Sequence, residues 1–443
     1  MTIVQLNVSD YGSTGVIMQT VRRIALCKGY KAISFAGRRK HAEEDCRKVG
    51  QTAGHYVHGL LARLGKNGHG SFIATRELAA ALKKLDPDVV ILHNIHGYYL
   101  HLKTLFDCLH TLKKAHIFLV LHDCWTFTGG CAYYTGANCR KWEYAGESKN
   151  AEETAPHCGK CSIHAKAYPK SLFDTSSSEF TYKEKLFTSL KNMTVIAPSE
   201  WIAEEARKSF LGKYEIVVIP NGINVEIFKP RQQKEIDTVL KKYNIPNDKP
   251  IILGVASVWD ARKQPLLFGA LSDIFRGTCS IVMVGLTEAQ RKKFPDTATI
   301  YSIPRTENAG ELACLYSAAS LLLNPSLEDN FPLVSLEALA CGTPVITSSL
   351  CGCPEQVDCD TGIVLANPSS VNEIYRAVIT ILEAQAKAAS LSIKENGDIP
   401  YTETHCRERA LAYYDHYKMA LSYMELIEET LSRHTASPAH AEA

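Results

Sequence analysis

The segment NPSLEDNFPLVSLEALACGTP, residues 324–344, reads as a buried strand end running into a short, firmly bounded helix. Asp329 and Asn330 stand where a helix cap belongs, Pro332 suits the first helical position, and Gly342 suits the stop. A helix starting here leaves its first backbone N–H groups without intrahelical partners, and its dipole puts positive charge at the same end. Asn330, Phe331, Pro332, Leu333 and Val334 thus form a candidate nest for an anionic phosphate. Asp329 and Glu337, separated by roughly 12 Å of helix axis, can stand on either side of a bound diphosphate. An amphipathic helix after a buried strand is the plainer account of such a segment, and the residues around it decide between the two.

The whole chain has 443 residues, beyond the roughly 250 to 300 at which single cores stop growing, so two domains are expected. Hydrophobic residues make up 46% of it, enough for packed cores. No apolar run approaches the roughly 20 residues of a membrane span, and the opening TIVQLNV lacks the basic start and cleavage site of a signal peptide. The net charge of +2 is unevenly spread: residues 1–200 hold 26 Lys and Arg against 17 Asp and Glu. Such a basic half fits scattered solvated lysines, an anionic membrane face or a pyrophosphate-bearing substrate. No basic run is interleaved with aromatics, which argues against nucleic acid. Fifteen cysteines without an export signal point to reduced thiols in a cytoplasmic setting.

Strand-like runs alternate with helical patterns in both halves, predicting α/β architecture with mostly parallel sheets. Strands are expected at 3–8, 89–93, 117–122 and 194–198, then at 251–255, 280–284, 299–303, 320–324 and 344–347. The charged, Pro-containing segment 229–250 reads as linker plus short helix. This divides the chain into 1–228, with a Cys-rich insertion at about 124–165, and 229–403. A single helix is expected over Arg407 to Leu431, within a terminal segment 404–432, followed by a disordered tail at 433–443.

Open parallel sheets bind ligands outside the carboxyl ends of their strands. After the first strand comes YGSTG, where Gly12 and Gly15, with Ser13 and Thr14 between them, permit close backbone approach. It is neither a dinucleotide fingerprint nor a P-loop. Asn94, His96 and His122 follow later strands and gather as candidate walls of an acceptor site. Arg262 and Lys263, in WDARKQP, lie just past another strand and can neutralise a diphosphate, one by its fork and the other as a point charge. With those cations and the helix dipole available, no catalytic metal is expected; the Asp-x-Asp strings at 86–88 and 358–360 read as structural. Cys131, Cys139, Cys158 and Cys161, the last two in HCGKC with the C-x-x-C spacing of a zinc knuckle, suggest a closed structural zinc site, with His157 as a substitute ligand and unrelated free thiols as the alternative reading.

These strings in order, YGSTG, PDVVILHNIHGYYL, LHDCWTFTGGC, CGKC, APSEWI, VIPNGINVEIF, ASVWDARK and SLEDNFPLVSLEALACGTPVI, resemble the family 4 retaining glycosyltransferases, in particular the WcaC-like branch of colanic acid and capsular polysaccharide synthesis. The resemblance implies a GT-B fold, with two facing Rossmann-like domains and a C-terminal helix crossing back to the first. It implies donor-diphosphate contacts at Arg262 and Lys263, a ribose contact at Glu337, and sugar contacts at Asp329 and His122. Asp329 stands where the family has Glu, a shorter side chain at the sugar. Gly12 and Gly15 correspond to the family's acceptor-side glycine loop. The implied activity is retaining transfer of a hexose from a nucleotide-diphosphate sugar to a lipid-linked oligosaccharide, at the inner face of the cytoplasmic membrane. A sugar-nucleotide epimerase of similar architecture and a catalytically silent sugar-binding scaffold are the alternatives.

Overall fold

The computed structural model describes residues 1–40, 46–143, 158–166, 168–297, 299–390 and 399–436. The chain forms two compact units, one of Met1–Pro220 with Met419–Ala443 and one of Asn221–Lys418.

In unit 1 the strands are β1 (Thr2–Ser9), β2 (Lys31–Arg38), β3 (Cys46–Lys48), β4 (Val89–Leu92), β5 (His116–Val120), β6 (Met193–Ala197) and β7 (Glu215–Val218). All pairs are parallel, in the order β3-β2-β1-β4-β5-β6-β7. Intervening helices are α1 (Gly12–Cys27), α2 (Thr52–Arg63), α3 (Phe72–Leu85), α4 (Leu102–Leu109), α5 (Ser176–Phe187) and α6 (Glu200–Arg207). Because side chains alternate across a strand, neighbours feed different cores. Val90, Leu92, Ile117 and Leu119 join one core, while Val89, Ile91, Phe118 and Val120 join the other. Both sheet faces are therefore covered, which is why these strands read as continuous apolar runs.

Unit 2 contains α7 (Gln233–Lys242), β8 (Ile251–Val255), α8 (Pro265–Ile274), β9 (Ser280–Val284), α9 (Glu288–Arg291), β10 (Ile300–Ile303), α10 (Ala309–Ala318), β11 (Leu321–Asn324), α11 (Leu333–Ala340), β12 (Val345–Ser348), β13 (Gly362–Leu365), α12 (Val371–Ser390) and α13 (Glu403–Tyr413). Its strands are also all parallel, in the order β10-β9-β8-β11-β12-β13. Each sheet thus starts in its middle, winds one way and then the other. The reversals fall between β1 and β4 and between β8 and β11, where the connections leave a crevice at the strand ends.

The segment 229–250, expected as linker plus short helix, does hold a short helix, α7, but that helix is packed into unit 2 and does not join two units as a free linker. Gln232 and Glu235 form a capping box at its start, and Ile236, Val239 and Leu240 enter the unit 2 core. The terminal helix differs too: α13 ends at Tyr413 and α14 spans His416–Ala436. Between them Ile223 N donates to Tyr414 O and His416 N to Ile223 O, while Asp415 Oδ1 accepts from Tyr417 N at 2.9 Å and opens the new helix. A Cβ on Gly222 would stand 2.5 Å from His416 Cα, so only glycine admits this approach. Residues 433–436 of the expected tail are helical, and 437–443 lie outside the described residues. From Met419 onward α14 belongs to unit 1, where Tyr423, Met424 and Ile427 are buried against α1 and the sheet. Burial of each such side chain stabilises by about 1.5–3 kcal/mol.

Candidate functional site

In unit 2, polar side chains gather at the carboxyl ends of β8 and β11, beside the reversal. After β8, Asp260 caps a single 3-10 turn, accepting from Arg262 N at 3.0 Å and from its guanidinium at 2.8 and 3.1 Å. The turn aims Lys263 at the β11 loop, where Nζ donates to Ser326 Oγ at 2.9 Å and to Asp329 Oδ2 at 2.5 Å. Ser326 Oγ donates in turn to Asn324 Oδ1 at 2.6 Å, and Asn324 Nδ2 to Ser335 Oγ at 3.3 Å. A chain of hydrogen bonds so links the lysine to the first turn of α11. Leu327 N donates to Arg262 O at 2.9 Å, tying the two loops through backbone as well.

The structure moves the helix start. Pro332, with φ −66° and ψ 120°, is the N-cap, and neither Asp329 nor Asn330 caps α11. Asp329 precedes the helix, so the 12 Å axial separation expected from Glu337 does not apply; its carboxylate is engaged by Lys263 instead. The early backbone donors, at Leu333 and Val334, still lie beyond a proline that has no N–H of its own. Gln356 Nε2 donates to Pro332 O at 2.9 Å and Asn221 Nδ2 to Phe331 O at 3.5 Å, so the entry to the helix is held from two sides. Asn330 is buried.

Glu337 lies in the second turn of α11, half-buried, and Oε2 accepts from Tyr316 Oη at 2.9 Å. Desolvation pushes its carboxyl up to about 7, against the lowering effect of the tyrosine hydrogen bond. Near neutral pH this group can therefore switch between donor and acceptor.

The corresponding crevice of unit 1 lies beyond β1 and β4. Gly12 has φ +73°, and a Cβ on Gly15 would sit 2.6 Å from the Asp10 carbonyl carbon, so the loop demands glycine at both positions. Thr14 Oγ1 accepts from Asn7 Nδ2 at 3.2 Å, Ser13 is exposed, and Asn94 N donates to Asn7 Oδ1 at 3.3 Å. His96 is buried, with Nε2 2.9 Å from Asp123 Oδ2 and its ring 5.1 Å from Trp125. The Asp123 contact fixes the ring beside the turn at 122–125.

His122 is the end of a relay that starts in the sheet. Gln5 Nε2 donates to Met18 O, which turns Oε1 toward His93 Nε2 at 3.0 Å. His93 must then carry its proton on Nε2, leaving Nδ1 to accept from His122 Nε2–H at 3.1 Å. His122 is left with Nδ1 as its acceptor side. Burial holds His93 well below the ordinary range and lowers His122 to about 4, so both rings are neutral at pH 7.

The four cysteines line one cavity of about 480 Å³ in unit 1. Gly129 N donates to Cys158 Sγ at 3.2 Å, and burial raises the thiols of Cys131 and Cys158 to about 12 and about 11. Among the described residues no three His, Cys, Asp or Glu side chains stand at metal-holding spacing. As placed, the thiols do not make a closed zinc site. His157 lies outside the described residues, as do the others at 144–157 in the insertion.

Residues 249–384 match the family model of the glycosyl transferases group 1. Arg262, Lys263, Asp329 and Glu337 all fall inside this match. The D-inositol 3-phosphate glycosyltransferase of Mycolicibacterium paratuberculosis is 28% identical over 187 residues, 40% of this chain and 41% of the relative. That of Mycolicibacterium smegmatis is 22% identical over 210 residues, 45% of this chain and 47% of the relative. The match thus spans less than half of these curated relatives. Solved structures align over nearly the whole chain. Sucrose-phosphate synthase from Thermosynechococcus elongatus has a TM-score of 0.67 at 17% identity, covering 98% of this chain and 100% of that one. Anabaena HepE in complex with UDP-glucose has 0.64 at 14% identity, with 98% and 100% covered. The likeness shows the fold: α/β, GT-B, two Rossmann-like units of parallel strands with a helix returning to the first.

Sequence reasoning passed over Gln5, His93 and Tyr316. Gln5 had one available signal, a polar residue inside the apolar run TIVQLNV. His93 and Tyr316 act through partners 88 and 21 positions away, which no local pattern announces.

Proposed function

We propose that the protein is a retaining glycosyltransferase that moves a hexose from a nucleotide-diphosphate sugar to a lipid-linked oligosaccharide in cell-surface polysaccharide synthesis. The observation that carries this reading is the array from Lys263 through Ser326 and Asn324 to Ser335, ending at the N-terminus of α11 with Glu337 one turn further. It offers a cation and amide donors for a diphosphate and a carboxylate for ribose hydroxyls within one short stretch. UDP and UDP-glucose complexes of HepE support a nucleotide-sugar donor.

In this reading Arg262 and Lys263 stabilise the leaving diphosphate, with no catalytic metal, and Asn330, Phe331, Pro332, Leu333 and Val334 border it. Lys263 exchanges its carboxylate partner for phosphate as donor enters, releasing Asp329 to a sugar hydroxyl. Neutral His122 offers Nδ1 as an acceptor for a hydroxyl at the unit 1 crevice. Gly12, Ser13, Thr14, Gly15, Asn94 and His96 serve the acceptor side. The acceptor is lipid-linked and the enzyme works in the cytoplasm, at the inner membrane face; among the described residues no helix is long and apolar enough to cross a membrane.

The test is a thermal-stabilisation screen of UDP, GDP and ADP, followed by NMR of the product formed from the preferred nucleotide-sugar. Selective stabilisation and a product retaining the donor's anomeric configuration are expected. No stabilisation by any nucleotide overturns the donor site, inversion overturns the stereochemistry, and binding without turnover over a panel of lipid-linked acceptors and inositol phosphate favours a silent scaffold.

A further inference from the structure

Helix α2 is built inside out. Its inward face carries His55, His58 and Ala62, all buried, while Tyr56, Val57, Leu60 and the capping Leu64 point to solvent. At 100° per residue these four outward side chains fall within one stripe, opposite the histidines. Tyr56 is 77% exposed, Val57 62% and Leu60 65%. A helix whose only purpose was to cover the sheet would show the reverse pattern.

Neighbouring segments widen the stripe. His58 Nδ1 lies 3.0 Å from Ser71 Oγ, and His58 Nε2 accepts from Gly68 N at 3.1 Å, which fixes the start of α3 beside α2. That start exposes Phe72 and Ile73. On the other side Leu172 N donates to Arg63 O at 2.6 Å and Thr175 Oγ1 to Gly65 O at 2.8 Å, seating the exposed Leu172 and Phe173 at the C-terminal end of α2. The segments that carry this surface are predominantly basic. Residues 46–85 hold seven Lys and Arg against one acidic residue, Glu77, and residues 158–174 hold three lysines against Asp174. Arg63 is exposed at the end of the stripe itself and Lys170 beside the seated Leu172, while Lys66 pairs with the buried carboxylate of Glu179 at 3.6 Å.

We infer that this face of unit 1 docks on an anionic lipid bilayer, with the α2 stripe and the first turn of α3 entering the headgroup boundary and the basic residues meeting lipid phosphates. An amphipathic helix lying in the interface needs this combination of aliphatic and aromatic side chains with flanking Lys and Arg. A second copy of the chain fits less well, because it would set two basic surfaces against each other. The inference rests on the proposed lipid-linked acceptor for its purpose, but its geometry is independent of the donor site.

Co-sedimentation of the full chain with phosphatidylglycerol–phosphatidylcholine vesicles, compared with phosphatidylcholine alone, tests it. Binding to the anionic vesicles only, weakening as salt is raised, is expected. Tyr56→Ser with Leu60→Ser should lower the partition constant on the order of tenfold or more, and Arg63→Ala with Lys170→Ala to a similar degree. Because these side chains are exposed, the variants should keep the parent melting temperature and the parent response to UDP, which separates failure of docking from failure of the donor site. Absence of vesicle binding, equal binding by parent and variants, or a concentration-dependent dimer abolished by Leu60→Glu overturns the inference.

Discussion

Tyr316 Oη donates to Glu337 Oε2 at 2.9 Å, in surroundings that push the carboxyl from 4.5 up to about 7. The raised value means the folded protein prefers the protonated form. That preference is fully present below about pH 4.5 and is lost as pH rises through 7, a difference of about 3 kcal/mol between the two limits. Glu337→Gln should therefore gain melting temperature relative to the parent as pH rises from about 5 to 8. If ribose hydroxyls donate to this carboxylate, nucleoside diphosphate affinity of the parent rises over the same interval, and that of the variant does not. Calorimetric titration at several pH values reads both; a parallel response of parent and variant would remove Glu337 from the ribose.

Lys263 is shared between Ser326 and Asp329. Replacing it by Ala takes away a charge-assisted donor worth about 1.5–3 kcal/mol, so nucleoside diphosphate affinity should fall roughly ten- to hundredfold. Asp329→Asn separates the two roles. With its carboxylate partner neutralised, the lysine is freer for phosphate, so UDP affinity should hold or rise while turnover falls. A matching loss of UDP affinity in Asp329→Asn would place that carboxylate in the diphosphate site rather than at the sugar.

Gln5→Leu removes the acceptor that orders the His93–His122 relay. The variant should fold, since leucine suits a buried strand position, but the His122 tautomer is no longer enforced. Long-range proton–nitrogen NMR spectra should show His122 protonated on Nε2 in the parent and a mixture in the variant, with reduced turnover at unchanged nucleotide affinity. An unchanged His122 spectrum would show that the ring is fixed by something other than this relay.

We propose structural zinc at Cys131, Cys139, Cys158 and Cys161, with metal binding drawing the thiols together from their present positions around one cavity. Protein purified without chelator should hold near-stoichiometric zinc by elemental analysis, and its removal should lower the melting temperature without changing the affinity for UDP. Protein free of zinc, with all four thiols titratable, would leave the cavity as ordinary packing around cysteines.

Much of the architecture was legible because both sheets are covered on both faces. Central strands such as Val89–Leu92 and Leu321–Asn324 are then uninterrupted apolar runs that contrast with flanking helices. Two missed strands lie at the edge of their sheet or are thinly covered: Cys46–Lys48 is three residues long with two of them charged, and Glu215–Val218 is only partly buried, whereas Lys31–Arg38 was missed although its interior is buried. Of the candidate site, position in the fold was legible: Arg262 and Lys263 were read as lying past a strand end and do follow β8, and a helix start was read beside Pro332. What could not be read was pairing. Nothing in WDARKQP says that Arg262 will fold back on Asp260 while Lys263 reaches across to Asp329. The same limit misplaced the helix cap, since Asp329 has the right chemistry for capping and is drawn off by a lysine 66 positions away.

Unit 2 is one continuous segment, Asn221–Lys418, whereas unit 1 needs Tyr423, Met424 and Ile427 from beyond it to close its core. During synthesis the N-terminal sheet therefore emerges well before α14, and its apolar flank stays uncovered until residues 419–427 have been made.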